Sequence, residues 1–507
     1  MIPLADSNSW TLREAAHLLN RAGFGGTPAE IDSLHKRGRT AAVDHLLTFG
    51  DEQADFPKPE WANADKRAML ASYAMSRREL NDIEEPQERA KKRQQLQRER
   101  RKTQRQNTSS MVEWWLTRMY RTEHPLREKM ALFWHGHFAT SIQKVKQPRL
   151  MLDQNETLRK YATGNFRELT QAICLDPAMM LYLDTNQNRK GKPNENFTRE
   201  LFELFTLGEG HYTEQDIKEA ARAFTGYQLN RRTGQSSLNR RLHDHGVKMV
   251  FSKTGRFKGD AIVDLALAQP ACAEFMSTKL WEFFAYESPN KQLIDHLAKQ
   301  LRANDYEIRP LLRSIFLSAA FYDDKKAIGT QIKSPTQFLV QLVRQLEIKT
   351  LPLNVAATTL SSLGQALFHP PNVAGWEGGK AWINTNTLLS RYNIAGLIVK
   401  GVRDPEHARS VMKGGDKRMM MALEKGKDTM RRYRGPDYKQ LAPVALRQEP
   451  SKLVETLTQR LFQGPLEASH RKSFDDYAAS KKARAFTDLE VAELLHLMMS
   501  TPYFQLT

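Results

Sequence analysis

Cysteine is almost missing: the 507 residues include only Cys174 and Cys272. Two thiols exclude a disulfide scaffold, and Cys174 falls in an apolar helical pattern with Leu169, Ile173 and Met180, so each reads as a reduced, buried thiol. Long apolar runs are missing too. No stretch approaches the ~18 residues that a spanning helix needs, which excludes a transmembrane segment. The opening MIPLADSNSW has no basic region followed by an apolar one. A cytoplasmic location is therefore the default expectation, with export by trimming or alongside a partner as the alternative. Strand-like alternation is scarce, and there is no internal repeat or low-complexity tract. The phosphate loop, the dinucleotide fingerprint, the HExxH zinc motif and the GxSxG elbow are all absent, which disfavours nucleotide-driven and serine-hydrolase chemistry.

Positive charge is abundant. Lys and Arg number 76 against 58 Asp and Glu, a net +18, which favours a polyanionic neighbour such as nucleic acid, anionic lipid or an acidic glycan. Helical periodicity dominates, so the expected fold is all-α: one large multi-helix body over residues 1–507, with long ordered loops and little or no sheet. Two helix starts are written out in full. In YTEQDIKEAARAF, Thr213 caps with Asp216 at N3, and Tyr212 can staple onto Ile217; in FTDLEVAELLHLM, Thr487 caps with Glu490 at N3 and Phe486 faces Val491. Residues 84–108 are nearly free of apolar side chains and read as a basic, solvated helical excursion. Residues 401–447 read as a basic linker or surface excursion. Either stretch could meet a polyanion, although charge runs more often mark solvated faces.

Four motifs carry candidate chemistry. In NENFTRELFELFTLGEG, Asn194 or Asn196 can cap a helix running from Asn196 to Leu207, with Gly208 as its stop. At 100° per residue the apolar side chains share one arc, while Asn196, Arg199, Glu200 and Glu203 share the other. Glu200 and Glu203 could converge on a metal or act as an acid–base pair; the plainer reading is a hydrated polar face. In PLREKMALFWHGHF, helical spacing puts His137 on the aromatic stripe and His135 about 200° away, so one inward histidine is expected in preference to a His-x-His chelate. His137 is then a metal ligand beside Glu200 or Glu203, or a core imidazole satisfied by a carbonyl or carboxylate. HDHGVK offers His243, Asp244 and Lys248 as ligand, base and anion clamp. HPPNVAGWEGGKAW presents Trp376 and Trp382 on a stiffened loop, to stack on sugars or bases or to pin the loop by burial, and Asn384 or Asn386 caps the helix that follows.

These motifs together with LLNRAGFGGTPAEID and the terminal STPYFQ resemble, in order, the bacterial family known as domain of unknown function 1800. The resemblance implies a helical fold, frequent export, and a phosphatase- or sulfatase-like protein encoded nearby as a partner. The combined expectation is hydrolysis of an anionic substrate in a cell-envelope pathway. Glu200, Glu203, His137 and Asp244 would be catalytic; Asn194, Asn196, Arg199, His243, Lys248, Trp376 and Trp382 would bind substrate. A divalent zinc, iron, manganese or calcium ion would sit on His137, Glu200, Glu203 and His243. The alternatives are a non-catalytic basic partner of the phosphatase-like protein and a polyanion- or nucleic-acid-binding protein.

Overall fold

Local capping chemistry starts many of the helices. Thr11, Thr27, Thr213, Asn384 and Thr487 each close a reciprocal capping box with the residue three places on, which satisfies two backbone N–H groups that a helix start otherwise leaves orphaned. Prolines start helices here and seldom break them: Pro28, Pro86, Pro125, Pro148, Pro177, Pro270, Pro335 and Pro450 all stand in first turns, where the missing N–H is harmless. A chain with 22 prolines can therefore be mostly helical. The computed structural model describes residues 4, 9–52, 54–63, 75, 78–230, 234–401, 433, 435–464, 466–481 and 485–507.

Helices follow one another along the described chain, and the strands form two antiparallel hairpins. Tyr227–Asn230 pairs with Gln235–Leu238 in the register Tyr227 to Leu238, and Lys248–Val250 pairs with Lys253–Gly255. Both hairpins flank the HDHGVK loop. No helix among the described residues is long and apolar enough to cross a membrane.

The buried side chains form two hydrophobic clusters. One gathers Leu18, Trp134, Phe138, Phe166, Phe205, Trp281 and Phe316; the other gathers Trp115, Leu152, Phe338, Leu367, Leu494 and Phe504. Each large aromatic contributes roughly 2–3 kcal/mol by leaving water. The Pro125–His137 helix serves both, with Met130, Phe133 and Trp134 in the first cluster and Ala131 and Leu132 in the second. It is the partition between them. Both cysteines are buried and free.

The basic stretch at 84–108 is the first part of a 36-residue helix, Pro86–Arg121, whose later residues Met111, Trp115 and Met119 are buried. All seven residues from 97 to 103 are exposed, so nearly two turns stand clear of the body. Of 401–447, residues 402–432 and 434 lie outside the described residues. The remainder packs: Tyr433, Tyr438 and Leu441 are buried, and the Tyr433 hydroxyl donates to the Ile398 carbonyl at 2.8 Å.

Candidate functional site

The RELFEL segment departs from a uniform α-helix. The α-helical part covers Asn196–Glu200, and Leu201–Thr206 widens into a π-helix closed by Leu207 N–H to the Phe202 carbonyl at 2.8 Å. A π turn changes the angle between successive side chains, so the two arcs drawn at 100° per residue hold only for its first turn. Phe197, Leu201, Phe202 and Phe205 are buried as expected. Glu200 and Glu203 are half-buried. Glu203 accepts from the Tyr212 hydroxyl at 2.6 Å, and partial burial together with the charge of Glu203 raises the carboxyl of Glu200. Arg199 forks onto Glu214 at 2.7 and 2.8 Å. Asn194 accepts from Asn196 N–H at 3.0 Å, and the Asn196 amide donates to the Leu183 carbonyl at 3.3 Å.

The two histidines of FWHGHF lie on an unbroken helix and face different ways. His137 Nε2 lies 3.0 Å from the Phe205 carbonyl. A carbonyl only accepts, so Nε2 carries the proton and Nδ1 the lone pair. That Nδ1 is buried without a partner. His135 is not outward, as the helical wheel suggested, but 1% exposed. Its Nε2 accepts from Phe368 N–H at 3.0 Å, and its ring packs on Trp115, Phe368 and Trp376. Burial lowers both imidazoles to about 3. They are neutral at physiological pH.

The polar side chains of the HDHGVK loop find partners in the loop's own carbonyls and in Arg222 and Thr225. His243 Nδ1 donates to the Thr225 carbonyl at 2.8 Å, Lys248 donates to the carbonyls of Asp244 and Gly246 at 2.7 and 2.9 Å, and Asp244 pairs with Arg222 at 2.9 Å. The hydrogen bonds from Arg222 hold the Asp244 carboxyl down at about 2, leaving it a poor base. Among the described residues no three or more His, Cys, Asp and Glu side chains come together as a metal site. His137, Glu200, Glu203 and His243 are accordingly not brought together as one such group.

What the fold does bring together is a cleft of about 510 Å³ along the partition between the two clusters, and of the expected residues it includes His137, Trp376 and Trp382. Lys129, Leu132, Phe133, Gly136 and His137 line it from one helix, at the spacing i, i+3, i+4, i+7, i+8 that places side chains on one face. Lys279, Glu282 and Phe283 line it from the Pro270–Phe284 helix. Gln331, Lys333, Ser334 and Gln337 come from the start of the Pro335–Gln345 helix, which Ser334 caps. The Trp loop forms the remaining wall. Trp382 is buried and pins that loop, whereas Trp376 is half-buried at the cleft.

The cleft concentrates cations that have no carboxylate partner. Lys129 donates to the side-chain oxygen of Gln337 and sits over the rings of Phe24 and Phe283 at 5.2 and 5.4 Å. Lys333 donates to the Phe504 carbonyl at 2.8 Å and stands 4.0 Å over its ring. Behind them, Arg21 donates to Gln331 and to the Ala327 carbonyl at 2.6 Å, and Arg391 donates to the Lys333 carbonyl at 2.8 Å. Neutral amides and carbonyls thus solvate four buried cations. Burial, aided by Arg21, drops the Lys129 ammonium to about 7; burial drops Arg21 to about 9, Lys333 well below the usual lysine range, and Lys279 downward as well. The acids Glu282, Glu287 and Glu377 also line the cleft, with Glu287 and Glu377 exposed at its rim.

Lys129 had a legible sequence signal, since it stands four and eight residues before Phe133 and His137 on the stripe read as inward. Lys279 and Lys333 had none. The wall itself depends on a close approach: a Cβ added to Gly375, whose φ is +81°, would lie 2.3 Å from the Gly136 carbonyl oxygen. Gly375→Ala is therefore expected to destabilise the fold by about 2 kcal/mol or more and to shift tryptophan emission as Trp376 moves. Urea unfolding read by fluorescence measures both. An unchanged midpoint and spectrum would refute this close contact.

Comparison with curated proteins and with solved structures finds no match for this chain. A family model described as "Protein of unknown function (DUF1800)" matches residues 17–506, nearly the whole length, and the chain belongs to that family.

Proposed function

We propose that the protein binds an anionic ligand in the cleft between its two hydrophobic clusters, and that Lys129 is the group that neutralises it. The supporting observation is the set of buried cations, Arg21, Lys129, Lys333 and Arg391, held only by amides and carbonyls. A buried charge without a counterion is costly, and an incoming anion removes that cost. The anionic substrate expected from the sequence is retained, at a different place from the Glu200 and Glu203 face. The test is thermal unfolding at low ionic strength with phosphate, sulfate, carboxylates and uncharged controls. Anions should raise the midpoint in saturable fashion and uncharged analogues should not; equal shifts from both would sink the proposal.

A second reading rests on a different surface. Arg98, Arg101, Lys102 and Arg105 repeat at helical spacing beside one shallow open groove, on a stretch whose residues 97–103 are all exposed. That surface suits a linear polyanion or the acidic face of a partner protein. If these four side chains each neutralise one phosphate of duplex nucleic acid, affinity should fall about a hundredfold between 50 and 200 mM salt. A charge-reversed quadruple variant should lose the salt dependence together with the binding. Salt-independent binding would remove this reading.

A further inference from the structure

We infer that the ligand of this cleft is a pyranose ring carrying a negatively charged group, a uronic acid unit of a glycan being its simplest form. The inference rests on the anion-binding reading and narrows it. Charge distribution is the first support. Cations lie on the floor, while Glu282, Glu287 and Glu377 line the same cleft. A ligand charged all over would meet those acids as well as the lysines. A ligand with one charge and several hydroxyls on each ring gives a charge to Lys129 and Lys279 and its hydroxyl protons to the carboxylates, which only accept.

Aromatic walls are the second support. Phe133, Phe283 and the half-buried Trp376 face the same space, and flat rings suit the C–H face of a saturated ring. Cations and aromatic walls come from the Pro125–His137 helix, with Lys129 and Phe133, from the Pro270–Phe284 helix, with Lys279 and Phe283, and from the Trp376 loop. Together they match one end charged, one edge hydroxylated and one face apolar.

Calorimetry on the full chain at about pH 6 and low salt tests this with three probes: tri-galacturonate, neutral maltotriose and inorganic phosphate. Tri-galacturonate should bind at least about tenfold tighter than either of the others and quench tryptophan emission. Trp376→Ala should weaken tri-galacturonate by about tenfold while leaving phosphate unchanged, and Trp376→Phe, which keeps an aromatic wall and the loop's packing, should restore most of the affinity. Phosphate binding as tightly as tri-galacturonate, or maltotriose doing so, would overturn the inference whatever the variants do. In the first case the anion reading survives and only the sugar is lost. Absence of binding by both anions would end both.

Discussion

Lys129→Met is expected to make the protein more stable and unable to bind anions. In the native state Lys129 is 7% exposed, and its ammonium is wedged between two phenylalanine rings and bonded to one neutral amide. Methionine fills nearly the same volume without a charge to desolvate, and since replacing even paired buried charges by apolar side chains of similar volume gains up to about 1–4 kcal/mol, a gain of about that size is expected here. A smaller loss, about 1 kcal/mol, arises because the Gln337 oxygen forfeits its donor. The sign with pH follows from the two proton affinities. The unfolded chain holds this proton up to about 10.4, the folded chain only up to about 7. Between those values the unfolded state binds more protons, so this residue's penalty is full below pH 7 and fades as pH rises. The gap between variant and native protein should therefore be widest near pH 6 and close toward pH 10. Chemical unfolding at both pH values measures it, and anion titration at pH 6 supplies the second readout. A variant that is less stable at pH 6 and still responds to anions would show that Lys129 is a structural strut.

The neighbouring residue should behave in the opposite way. Glu128 is fully buried, yet it accepts from Trp115 at 2.9 Å, from Arg118 at 3.1 Å and from Arg159 at 2.6 and 2.9 Å. Burial by itself would raise its carboxyl; the two guanidinium groups outweigh that and bring it to about 2. Glu128→Gln leaves Arg118 buried without its counter-charge and Arg159 with Glu156 alone, and breaking such a set costs about 3–5 kcal/mol. Because the folded value lies below the unfolded one, the stabilisation is present above about pH 4.3 and is lost as pH falls toward 2. Native protein should consequently lose stability over that acid range more steeply than the Gln variant does. A loss under about 1 kcal/mol at pH 7 would mean that the network contributes specificity and little stability.

Adjacent positions, one needing its charge and the other carrying an uncompensated one, show how far the chain could be read without coordinates. Helix starts were legible because they are local: Thr213 with Asp216 and Thr487 with Glu490 close their boxes within four residues. The largely helical class was legible from periodicity, and of the two asparagines offered as the cap after the Trp loop, Asn384 is the one that fills it. His135 was misread because a helical wheel assumes one wet side, and the Pro125–His137 helix has none, lying between two cores. Glu200 and Glu203 were read on a regular helix that turns out to change into π geometry at Leu201. Asp244 and Lys248 looked free for chemistry because their partners, Arg222 and two loop carbonyls, are set by the folding of the hairpin region.

By itself the sequence determined where several helices begin, that most of the chain is helix, that it is strongly basic, and which family it resembles, since caps, periodicity and composition act over a few residues or over the whole. The tertiary structure alone decided which lysines lose their counterions and which histidine keeps an empty lone pair. Those outcomes depend on what packs against a side chain from hundreds of residues away, as Gln337 does on Lys129 and the Gly375 loop on Gly136.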